Sequence, residues 1–184
     1  MNKNNELKTH RRRGLTLIEA LFVLGIMAIL IGLVMVLYSM ASEKQKTQQL
    51  ITEVSLLIDA CNSLTASQSS YKDLDSKSLA QSGLIPSKFI KDGLIVTPYG
   101  GKIEVIPFNY QKDNQGDNIY LAFNFLYLPQ SACERLGLLD YKNVAQSMTV
   151  TGMQEDHPDG FTPIQVIKNC DNGNNNYVNI RIQH

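Results

Sequence analysis

The chain begins polar and basic, ends that stretch in Arg11-Arg12-Arg13-Gly14, and then turns apolar. No charged side chain occurs from Ala20 to Leu37, a run about long enough for a helix to span most of a bilayer core. One carboxylate, Glu19, stands at its head. A carboxylate in a lipid-bound helix costs a few kcal/mol and normally marks a function or a partner. Beyond Ser42 the pattern changes. Leu50, Val54, Leu57, Cys61 and Leu64 recur at alternating steps of four and three, which makes one apolar stripe on a helix. Glu43, Lys44, Lys46, Glu53 and Asp59 fall mostly on other faces. No proline separates the two patterns, so the spacing predicts a single helix over 15–66, apolar all round over 15–40 and amphipathic over 41–66. About 50 residues at 1.5 Å each give a rod of roughly 75 Å, too long to serve only as an anchor. Its distal half must pack on something, and a sheet built from residues 67–184 is the obvious candidate.

The rest of the chain reads as short strands between turn signals. Residues 67–86 are rich in Ser, Asp, Gly and Pro and predict a loop with one short helix around Ser76–Gln81. Asp92-Gly93 signals a turn before Leu94-Ile95-Val96, and Thr97-Pro98-Tyr99-Gly100-Gly101 turns the chain into an alternating strand over Lys102–Ile106. Ile119–Leu128 reads as a largely buried strand and Pro129–Leu139 as a short helix. A further strand is expected around Met148–Thr151. Thr162-Pro163 fits an N-cap followed by proline at the first helical position, so Ile164–Cys170 is predicted helical. Tyr177–Gln183 alternates and closes the sheet, with Val178, Ile180 and Ile182 on one face.

Charge adds an orientation. The formal net charge is +0, yet Lys3, Lys8, Arg11, Arg12 and Arg13 all precede Leu15 and face only Glu6. Basic residues before an apolar run hold their side of it in the cytoplasm and point the remainder outward. The chain beyond residue 14 is acidic and has no basic run with interleaved aromatics, so no nucleic-acid partner is expected. The three cysteines are Cys61, Cys133 and Cys170. An odd count in an oxidising compartment suggests one bridge and one leftover thiol. Cys61 belongs to the helical stripe and reads as a buried thiol, with an intermolecular bridge as the other reading. Cys133 and Cys170 share the distal half and are expected to pair, closing a loop worth roughly 3–4 kcal/mol in the chain-entropy model.

Taken by itself, the first stretch allows two plainer readings. A secretory signal peptide also has a basic start and an apolar core, but Ala41-Ser42 is a poor cleavage site for one. A simple signal anchor would place Glu19 at the membrane interface, where a charge costs little. The residues say more. Gly14-Leu15-Thr16-Leu17-Ile18-Glu19, followed by Val23-Leu24-Gly25-Ile26-Met27-Ala28, closely resembles the start of type IV prepilins. It is most similar to the type IVb branch, the bundle-forming and toxin-coregulated pilins, because Leu15 stands where type IVa pilins usually carry phenylalanine.

That resemblance implies an α+β fold of the type IV pilin kind: a long N-terminal helix packed on an antiparallel β-sheet of four or more strands, with a C-terminal region closed by a Cys133–Cys170 disulfide. It implies residues 1–14 as a leader removed by a prepilin peptidase between Gly14 and Leu15, N-methylation of Leu15, and Glu19 as the assembly residue, pairing with the freed amino terminus of a neighbouring copy. It further implies a single-pass inner-membrane precursor, an assembly machine with an ATPase, and a homo-oligomeric extracellular filament for adhesion, aggregation and colonisation. A minor pilin, a type II secretion pseudopilin and a non-polymerising membrane-anchored binding module are the alternatives. No catalytic residue, cofactor or metal is expected. His10, His157 and His184 lack partners at triad or zinc spacing. Asp156-His157-Pro158-Asp159 and Asp171-Asn172-Gly173-Asn174 read as solvated loops, the latter without the bidentate glutamate of a calcium loop.

Overall fold

The computed structural model describes residues 16–68, 70–108, 120–141, 145–153 and 161–183. Contacts divide the chain into two compact units, one ending at Ser42 and one running from Glu43 to His184. Helix α1 (Leu17–Thr65) contributes to both. In the first unit every described residue up to Ala41 is exposed, Leu17 and Tyr38 at 82% and 76% among them. The mean hydropathy reaches 3.0 over an 18-residue window that buries nothing within the chain. A helix of this length and composition is able to cross a membrane.

The second unit holds the core. Six antiparallel strands form one sheet in the order β1-β2-β3-β4-β6-β5: β1 (Ile90–Lys91), β2 (Leu94–Val96), β3 (Lys102–Phe108), β4 (Tyr120–Leu128), β5 (Ser147–Val150) and β6 (Asn176–Gln183). Leu50, Val54, Leu57 and Cys61 of α1 join the same buried cluster as Ile95, Ile103, Phe123, Phe125 and Ile180 of the sheet. Helix α2 (Ser76–Gln81), α3 (Gln130–Gly137) and α4 (Pro163–Asn169) complete the unit. Val178, Ile180 and Ile182 of β6 are all buried, as their alternation predicts, and Thr162 heads α4 in a capping box with Gln165.

Two turns explain their residues. Asp92 and Gly93 both take positive φ, 53° and 77°, between the paired residues Lys91 and Leu94. A two-residue hairpin of that kind matches the twist of the strands it joins. Gly101 pairs its N–H with Thr97 Oγ1 at 3.0 Å, and a Cβ there would collide with the carbonyl oxygen of Leu126. Leu126 belongs to an irregularity in β4 between Phe125 and Leu128, where Tyr127 takes φ 58°. The Tyr99 hydroxyl then shares a 2.7 Å hydrogen bond with Thr47 Oγ1, fastening this turn to α1.

The stripe on α1 differs from the expectation in two places. Leu64 is 37% exposed, whereas Thr65, four residues beyond Cys61, is buried and donates its hydroxyl to the Cys61 carbonyl at 2.9 Å. Glu53, expected with the polar residues, is fully buried, and neither carboxylate oxygen has a hydrogen-bond partner. The buried arc is wider than the stripe: Glu53 lines up with Leu57 and Ala60, which are also inside. Burial pushes the Glu53 carboxyl up to about 8, partly opposed by the positive charge of Lys88. The folded chain therefore holds this proton over a range in which the unfolded chain releases it. Stability should fall as pH rises from 4.5 to about 8, by an amount on the order of a few kcal/mol. Thermal unfolding of the full chain in detergent across that range should show this slope, and Glu53→Gln should flatten it.

Candidate functional site

The first turn of α1 carries the chemistry. Glu19 is exposed at the head of the apolar part of α1 and is bound by its own N-cap. The Thr16 N–H and hydroxyl both donate to Glu19 Oε2, at 2.9 and 3.0 Å, and the Glu19 N–H returns a bond to Thr16 Oγ1 at 3.3 Å. This reciprocal capping box satisfies helix N–H groups that would otherwise lack partners. It also fixes the carboxylate at the positive end of the helix dipole. Gly14 and Leu15 lie outside the described residues. Sequence reasoning singled out Glu19 but did not assign Thr16, although the T-x-x-E spacing of a capping box is visible in the chain.

At the other end of the chain, Cys133 of α3 is bonded to Cys170, the C-cap of α4, with Cα atoms 5.9 Å apart and a separation of 37 positions in sequence. Cys61 is free and buried, and burial pushes its thiol up to about 12. A protonated thiol under the sheet is a poor nucleophile.

A residue missed in the sequence holds the Asp171–Asn174 turn. Asn176 is fully buried, and its Nδ2 donates to the carbonyls of Leu128, Asp171 and Gly173 at 3.2, 2.9 and 3.2 Å. Its Oδ1 accepts from the Asp171 N–H at 2.7 Å. One amide thus ties the turn after the disulfide to the end of β4. Among the described residues no group of three or more His, Cys, Asp or Glu could hold a metal ion. Asp156-His157-Pro158-Asp159 falls outside them, as do His10 and His184.

The long helix, the antiparallel sheet and the disulfide-closed end together define the type IV pilin fold. A type IVb pilin from Salmonella typhi superimposes on this chain with a TM-score of 0.57, at 16% identity, over 73% of this chain and 98% of that one. Residues 9–35 match the prokaryotic N-terminal methylation motif, and residues 39–183 match the Bundlin family. Two relatives, each called the major structural subunit of bundle-forming pilus, come from Escherichia coli O111:H- and E. coli O127:H6 (strain E2348/69 / EPEC). Each is 34% identical over 164 residues, which is 88% of this chain and 79% of the relative. The chain belongs to the bundlin family of type IVb pilins.

The Asn176 cluster predicts an order of effects. Asn176→Ala removes the acceptor of the Asp171 N–H and the side-chain donor shared by three carbonyls, of which that of Asp171 keeps the Gly173 N–H, and should destabilise the second unit by about 1–3 kcal/mol. Asn176→Asp places a carboxylate oxygen against the same carbonyls and should cost more. Denaturant unfolding of the oxidised chain, comparing midpoints, checks that order.

Proposed function

We propose that this chain is a structural subunit of a type IVb-like pilus, made as a single-pass inner-membrane precursor and polymerised into surface filaments. In this reading a prepilin peptidase removes residues 1–14, Leu15 is N-methylated, and an ATP-driven assembly machine moves the subunit from the membrane into the fibre. Membership of the bundlin family and the names of the two curated relatives support it. The methylation motif, which spans Gly14, Leu15 and Glu19, supports the processing step.

The observation that carries the proposal is the N-terminal part of α1. From Leu17 to Met40 it presents large apolar side chains with no cover from the other described residues. Exposing such a surface to water costs on the order of 1.5–3 kcal/mol for each large side chain, so it needs lipid or other copies of itself. A Cβ at Gly25 or Gly32 would point into open space, and small residues of this kind allow helices to approach closely in a membrane or a fibre core.

Glu19 supplies the register. Cleavage after Gly14 would free an ammonium group at Leu15. Once neighbouring helices exclude water, a carboxylate and an ammonium are stable only where they meet, so any register that separates them is penalised. The Thr16 cap keeps the carboxylate directed to the helix terminus until that partner arrives. Glu19→Ala should leave cleavage, membrane insertion and the Cys133–Cys170 bridge intact while abolishing fibres in sheared preparations. Wild-type amounts of fibre from that variant would refute the assigned role.

A further inference from the structure

We propose that the second units of successive subunits dock through α4, with Ile164 and Ile167 of one copy entering an apolar groove beside α1 of the next and Lys168 pairing with Asp59. The inference rests on the assembly reading above and names a contact outside the helical core.

The groove has a volume of about 300 Å³; Ile51, Val54 and Ile58 of α1 with Leu139 and Tyr141 after α3 form its apolar lining, and Ser55, Asp59 and Asp140 its polar lining. Val54 belongs to the stripe that faces the sheet and Ile58 is buried with it, while half-buried Ile51, three positions before Val54, carries the apolar surface of α1 out to the groove. Asp59 stands at the rim of the groove and is exposed.

The complementary surface is the outer side of α4, whose inner residue Val166 packs beside Gly137 at the end of α3. Helix α4 turns Val166 fully inward but leaves Ile164 and Ile167 at 68% and 55% exposure. These two sit three positions apart on one side of the helix, and exposed Lys168 follows Ile167 on that side. The helix is held by its capping box at one end and by the Cys170 bridge at the other. Such a rigid knob loses little conformational entropy on docking. Two isoleucines match the apolar floor, and the lysine matches the carboxylate at the rim. Neither Lys168 nor Asp59 takes part in an ion pair among the described residues. Because knob and groove are different surfaces, the contact is heterologous. Each docked copy leaves a free groove and a free knob, as an open polymer requires.

The test uses the full chain in cells that assemble fibres. Asp59→Cys and Lys168→Cys combined in one chain should give a ladder of disulfide-linked multimers in oxidised, sheared fibres, and each single change should give none. Ile164→Asp with Ile167→Asp should reduce sheared fibre by about tenfold or more. Intact mass reports the Cys133–Cys170 bridge and hence folding of that variant. Should it misfold, the surface pair decides: Asp59→Lys and Lys168→Asp should each weaken fibres against salt, and the double change should restore them. A Cys pair without a ladder in normal fibres, or no rescue by the double change, overturns the docking alone. An unmodified chain that forms no fibre in those cells overturns the assembly reading and the docking together.

Discussion

The constraint behind this structure is an apolar helix end that none of the described residues of its own chain covers. From Leu17 to Met40 the side chains face outward, and the one charge among them, Glu19, is held by Thr16 at the first turn. In water this surface would aggregate, and in lipid it is stable except for the carboxylate. Capping lowers that cost without removing it, because an ionised acid in a low-dielectric setting still lacks a counter-charge. A membrane thus serves as a holding environment, and the proposed fibre as the place where the charge is neutralised.

The second unit solves a different problem. It buries the distal face of α1 under six strands, then secures its C-terminal end with the Cys133–Cys170 bridge and the Asn176 amide. Glu53 runs against the general pattern. A fully buried carboxyl without a hydrogen-bond partner lowers stability on ionisation, and its neutral form is the one compatible with the core. Nearby, Tyr99 and Thr47 link the glycine turn to α1, while Ser131 donates to Glu43 Oε1 at 2.6 Å and links α3 to the start of the same unit.

Much of this architecture is legible along the chain. The charge-free run, the 4-3 spacing and the absence of proline mark α1; alternation marks β3 and β6; Thr162-Pro163 marks α4. What stays hidden depends on contacts between distant segments. Glu53 reads as a polar surface residue because the width of the buried arc is set by what packs on α1, not by the helix itself. Thr65 replaces Leu64 inside because its hydroxyl can be satisfied by the Cys61 carbonyl. The two-residue strand β1 is too short to leave a periodic signal, and Asn176 looks like one more turn residue until three carbonyls are seen around its amide. At the N-terminal site, Glu19 stands out by charge alone, whereas the part played by Thr16 appears only once the helix start is fixed.

Intact-mass analysis of the subunit in sheared fibres is the decisive experiment, since register through Glu19 depends on an amine freed beside it. The subunit should begin at Leu15 and carry one added methyl group. A fibre subunit that still begins at Met1 would contradict it.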